Sequence, residues 1–322
     1  MTSKERVIAA VRRQGPDRTP YLRWEKLEVT DIVADWPRKK ENLTRRQTKW
    51  TDEWGCQWEA LDTSRGHIVG YPIVTVDDYA DYVFPEPVIP LEALQANRLE
   101  FGDRICCGGL GFFFFELLEK LRGFNEFMVD LAGEREALEA FLDRLQAHYI
   151  KMVDAYAASG LVDCITTNED LGLQDRLTIS PAMWREVLAP RYRAVYQRAH
   201  EHGLLTFQHS CGFVQDIVGD LADAGVDILE LQQLGCMDME LVARQARDRL
   251  CISAPVDVQT VLPCGDWAKI EAFQRRLFET FDAPAGGFIA QIYCDLPSLQ
   301  VPPETGDRLE TLIQSLRDWR GR

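Results

Sequence analysis

From about residue 160 to its C-terminus the chain alternates short apolar runs with longer amphipathic ones. "LVDCITTNED" (161–170) reads as a strand entering a polar loop. "SPAMWREVLAPRYRAVYQRAHEHG" (180–203) reads as a helix, with Ser180 as N-cap, Pro181 in its first turn and Gly203 as its stop. Strands follow at "LLTFQHS" (204–210), "VDILELQQ" (226–233), "LCISAP" (250–255) and "GGFIAQIYCD" (286–295). Helical patterns follow each of them, at "FVQDIVGDLADAG", "MDMELVARQARDR", "WAKIEAFQRRLFETF" and "PPETGDRLETLIQSLRDW". Parallel strands need such crossover helices, so the alternation restricts the chain to an open doubly wound sheet or a closed (β/α)8 barrel.

The first half supplies "TPYLRW", "RICCGGL" and a further candidate strand near "HIVGYPIV", with which the count approaches eight. No GxGxxG follows an early strand, which counts against a dinucleotide-binding sheet. The expectation is an α/β chain forming a single (β/α)8 TIM-barrel domain over residues 1–322, with an N-terminal helical and loop extension. Residues from about Asn42 to Pro90 read as loop-rich decoration at the catalytic mouth.

The net charge of −15 argues against a nucleic-acid or anionic-membrane surface, which needs positive potential. The N-terminus does not read as a secretory signal, and no stretch approaches the roughly 18 apolar residues of a membrane span. Nine cysteines, an odd number in a large chain without a signal, favour reduced thiols and a cytoplasmic location.

In a barrel, chemistry belongs at the C-terminal ends of strands. His209 and Cys211 sit there, and residues two apart in an extended strand point to one side, so both can face one ion. Imidazole and thiolate are natural zinc ligands, and Cys294, at the end of the last strand, could supply a third. The alternative is a buried histidine beside a core cysteine. Glu169 and Asp170, just past a strand end, are candidates for a further ligand or a catalytic acid. Glu230 and Gln232 alternate inward, as substrate contacts or as filling of a polar mouth. Trp54, Phe113 and Tyr293 complete the candidate substrate contacts, with core packing or loop anchoring as the other reading of Trp54 and the phenylalanines. Cys106 and Cys107, being adjacent, should face opposite sides of their strand, and Cys164 and Cys251 fit core positions.

With these segments in place the chain resembles the uroporphyrinogen decarboxylase superfamily, and within it the zinc-dependent, cobamide-using methyltransferases. "ERVIAAVRRQGPDRTP", "TDEWGCQW", "NEDLGLQDRLTISPAMWREVLAPRY", "HSCGFVQDIVGDLADAGVDILELQ" and "GGFIAQIYCDLPSLQVPPE" carry the likeness nearly end to end. The resemblance implies a His-x-Cys…Cys zinc motif on His209, Cys211 and Cys294, with Glu169 or Asp170 as fourth ligand or proton donor. It further implies a corrinoid (cobalamin) carried by a partner protein, a small methylated or methoxylated substrate or a thiol, and a homodimer. The arginine-rich "MRQAGR"-type segment of true decarboxylases is missing; "PYLRWEKLEV" stands after the Asp-Arg-Thr-Pro turn. The rival readings are a metal-independent decarboxylase of the same superfamily and a non-catalytic module that binds or senses a corrinoid protein.

Overall fold

The structure, a computed structural model, describes residues 1–34, 48–61, 66–133 and 135–317. Eight parallel strands form one sheet: β1 (Tyr21–Leu22), β2 (Ile32–Ala34), β3 (Ile105–Phe112), β4 (Cys164–Asn168), β5 (Leu205–Ser210), β6 (Ile228–Leu231), β7 (Cys251–Ala254) and β8 (Phe288–Gln291). Each strand from β2 to β8 pairs with the next in sequence, and β8 pairs with β1. This is a (β/α)8 barrel, nearly closed, with helices around it.

The open seam lies between β1 and β2. Asp31 closes it: its N–H donates to the Tyr21 carbonyl at 2.8 Å, and its carboxylate accepts the Tyr21 N–H at 2.8 Å. Alternation sorts the side chains of the strands. Leu22, Ile32, Ile105, Cys107, Cys164, Leu205, Phe207, Ile228, Cys251 and Ile289 form one buried cluster with contributions from all eight strands, the barrel interior, together with Val7 of helix Ser3–Val11. Cys107, Cys164 and Cys251 are thus interior packing residues, while Cys106 faces the other way, against Val33 and Phe101. A larger cluster lies between the strands and the outer helices.

The "HIVGYPIV" stretch is not a barrel strand. His67–Gly70 pairs antiparallel with Gln57–Ala60, which pairs with Thr48–Thr51, in a separate three-stranded sheet. Its alternating half-exposure suits a sheet with one wet face, whereas the missing barrel strand, Ile32–Ala34, is three residues long and too short to carry a period. The described part of the 42–90 region is therefore partly sheet; residues 42–47 and 62–65 lie outside the described residues. Trp50, Trp54 and Trp58 of this region share a cavity with the ends of β3 and β4, which places it at the barrel mouth.

Ser180 caps its helix through the Met183 N–H at 3.2 Å, and the chain leaves the helix before Gly203, at φ +74°. Between them the helix widens into a π-turn, Trp184–Leu188. Pro190 explains it: a proline lacks an N–H and its ring crowds the preceding turn, which the wider turn accommodates.

Candidate metal centre

Leu205 and Phe207 of β5 face the barrel interior, so His209 does too, two residues further on. The Cys211 sulfur lies 3.4 Å from His209 Nε2. Asp170, in the loop leaving β4, places Oδ1 3.3 Å from the same nitrogen and accepts the Cys211 N–H at 2.8 Å. The ligand atoms of Asp170, His209 and Cys211 all lie within 4.8 Å of one another, the group of this kind among the described residues.

Behind them stands a line of buried polar groups. Glu230 on β6 is the register partner of His209, and its Oε2 lies 2.8 Å from His209 Nδ1. Its other oxygen accepts from Gln291 Nε2, and Ser253 Oγ donates to Gln291 Oε1 at 2.9 Å. A histidine whose Nδ1–H donates to a carboxylate keeps its Nε2 lone pair for a metal. Burial opposes a charge on His209, yet Glu230, Asp170 and Cys211 together raise its pKa well above the ordinary value. Burial likewise opposes ionisation of Asp170, but its bonds with His209 and Cys211 hold it below the usual carboxylate range. The pocket is thus set for positive charge, and one nitrogen, one sulfur and one oxygen are a donor set that suits zinc.

Cys294, Gln232 and Tyr293 line the same cavity, of about 260 Å³, with Trp24, Phe112 and Phe207 as aromatic walls. Gln232 Oε1 is 3.8 Å from the Cys211 sulfur. Cys294 is on the cavity wall without joining the three atoms of the tight group.

Three expected residues are placed elsewhere. Glu169 is fully buried and turned away from the pocket: it accepts the N–H groups of Phe115 (2.7 Å) and Glu116 (3.0 Å), in the first turn of helix Phe114–Arg122, and the Tyr192 hydroxyl. Burial pushes its carboxyl up to about 8, against those three donors. Of the two neighbouring carboxylates, Asp170 is the one brought to His209 and Cys211. Phe113 is also fully buried, among Tyr149, Tyr192 and Tyr196; the phenylalanine on the cavity wall is its neighbour Phe112. Trp54 lines a second, larger cavity of about 910 Å³.

Glu116, Asn168, Trp24 and Gln291 went unread in the sequence. Trp24 lies two residues beyond the inward Leu22, so strand alternation could have found it. Glu116 carries no such signal, since it enters from a helix, where Lys120 pairs with it at 3.1 Å. Neither cavity has an arginine or lysine among its described lining residues. Arg23, in the segment that replaces the arginine-rich one, is tied to Glu25 and Glu310, each at 2.6 Å.

A methyltransferase from Methanosarcina mazei shares this fold at a TM-score of 0.74 and 19% identity, over 98% of this chain and 99% of that one. Native xylanase 10B from Thermotoga maritima aligns over 98% of this chain and 99% of that one, at a TM-score of only 0.41 and 12% identity. No curated protein matches the chain in sequence. Residues 53–316 match the family described as uroporphyrinogen decarboxylase (URO-D), a span that takes in Asp170, His209, Cys211, Glu230 and Cys294. The chain belongs to the uroporphyrinogen decarboxylase family.

Proposed function

We propose that the chain is a zinc-dependent methyltransferase. It moves a methyl group between a small methylated or methoxylated compound, or a thiol, and a corrinoid carried by a partner protein. The observation that carries this reading is the convergence of Asp170, His209 and Cys211 at the mouth of the barrel, with Glu230 on the far nitrogen of the histidine. The fold likeness to the Methanosarcina mazei methyltransferase supports it.

His209, Cys211 and Asp170 would hold the zinc, with Cys294 of the same cavity wall as a further ligand. Bound there, zinc supplies Lewis acidity that stabilises a departing oxygen, or lowers the pKa of a thiol. The protein does the rest. Glu230 fixes the histidine tautomer. The Trp24, Phe112 and Phe207 walls keep water from the reacting group, and Gln232 and Tyr293 give it polar contacts. The described lining residues of the two cavities include no arginine or lysine to hold a polyanionic porphyrinogen, which counts against the decarboxylase reading.

The test is metal analysis of the purified wild type and of Cys211→Ser and Cys294→Ser, beside methyl transfer to a corrinoid protein. Zinc in the wild type, and loss of zinc and transfer together in the variants, is the expected result. A wild type that takes up no zinc, with variants that keep full transfer, overturns the reading. Carbon dioxide release that survives chelation would favour the decarboxylase.

A further inference from the structure

The small metal pocket and the larger cavity share two lining residues, Phe112 at the end of β3 and Asn168 at the end of β4. Ligand pockets commonly measure about 300–1,000 Å³. At 260 Å³ the metal pocket falls short of that range, and at 910 Å³ its neighbour lies within it. The larger cavity is walled by Trp54, Trp58, Leu110, Met152 and Tyr156, and the acids on its lining are Asp52, Glu53 and Glu86. Asp52 is held in place by the Trp58 indole N–H at 2.7 Å and by the Cys56 N–H at 2.8 Å. Such walls favour a flat apolar body and disfavour an anion.

The backbone at the junction is pinned while the Phe112 ring is partly exposed. The Phe112 carbonyl accepts the Tyr149 hydroxyl at 2.5 Å, and the Phe113 N–H donates to the Asn168 carbonyl at 2.8 Å. The β3–β4 register shifts between Gly109 and Phe112, with Gly111 between them at φ +74°, a conformation natural to glycine. The Lys120 ammonium lies 4.1 Å from the Phe112 ring centroid. The ring can therefore be trimmed or enlarged without removing a strand hydrogen bond.

We infer that Phe112 is a specificity-determining residue: its ring limits how large a substituent on the reacting group can extend from the metal pocket into the aromatic cavity, which receives the flat, apolar, non-anionic body of the substrate. The assignment of a reacting group to the metal pocket rests on the methyltransferase reading; the junction itself does not.

The test compares ethanethiol with 2-phenylethanethiol by calorimetry on zinc-loaded wild type, Phe112→Ala, Phe112→Leu and Phe112→Trp. Phe112→Ala should tighten the phenyl thiol about tenfold relative to ethanethiol, Phe112→Leu less, and Phe112→Trp should shift the ratio the other way. Binding of both thiols with one affinity ratio in all four proteins overturns the inference. If neither thiol binds the zinc-loaded wild type, it is the metal reading that fails. Anisole, which has no thiol, then decides the junction: tighter binding to Phe112→Ala than to wild type upholds it, and equal affinity overturns it. Phe112→Leu serves the same comparison if the alanine variant does not fold.

Discussion

Glu230 touches no reacting atom, yet it sets which nitrogen of His209 faces the pocket. Replacing it with glutamine keeps the shape and removes the charge. Glu230→Gln should lower zinc affinity about 10–100-fold, measured by competition with a chelator. Glu169 and Asp170 should separate cleanly. Asp170→Asn should lose zinc. Glu169→Gln should keep zinc and lose about 1–3 kcal/mol, because the amide has one oxygen for two buried helix N–H groups and sets its own NH2 against the other. Zinc content and urea unfolding of both variants check the pair. The inward direction of His209 and Glu230 was legible because both sit within strands, where the pleat dictates the side. Glu169 and Asp170 lie past the end of β4, where the backbone turns freely and alternation no longer says which carboxylate points in.

The elements hold the centre together by a close approach of two loops. Gly212, at φ +73°, follows Cys211, and Gly172 follows the Asp170 turn; a Cβ on Gly212 would lie 2.0 Å from the Gly172 carbonyl oxygen. The Phe213 N–H donates to the Leu173 carbonyl at 2.7 Å across the same contact. Gly212→Ala should therefore weaken zinc binding and cost about 1–3 kcal/mol. Gly203→Ala is the control: it has the same left-handed backbone, at φ +74°, but open space around it, so its cost is the backbone conformation alone and its zinc affinity is unchanged. Chelator competition and urea unfolding of the two variants separate these effects. Helix Ala189–Glu201 gives a pH signature. Its His200 bonds to Asp227 at 2.9 Å, which raises the histidine pKa. A raised histidine stabilises fully below the unfolded value of about 6.5, and that stabilisation is lost as pH rises through the folded value. The fall in melting temperature from pH 6.5 upward should be shallower in His200→Gln than in wild type.

Over the whole molecule, closure of the barrel depends on one buried acid. Asp31 joins β1 to β2 and also accepts from Arg6 and Arg317, each at 2.9 Å, so the first helix, the last helix and the seam meet on one carboxylate. Burial lowers the Arg317 pKa to about 10, and Asp31 opposes that fall. Asp31→Asn removes the carboxylate that faces the buried Arg317, while Arg6 keeps its pair with Asp17 at 2.7 Å, and should cost about 3–5 kcal/mol in urea unfolding. None of this was readable beforehand, because Arg6, Asp31 and Arg317 are ordinary charged residues until the ends of the chain meet.

The sequence by itself determined a parallel α/β sheet, with the family resemblance favouring its closed form, and the shared side of His209 and Cys211. Strands buried on both faces and helices with one apolar stripe leave periods in the chain, and the pleat aligns residues two apart. Tertiary structure alone decided three things: that Ile32–Ala34 completes the barrel, that Asp170 rather than Glu169 meets His209, and that Phe112 stands between two cavities. Each depends on where the backbone turns after a strand ends and on what distant segment then comes to lie against it, and neither leaves a period in the sequence.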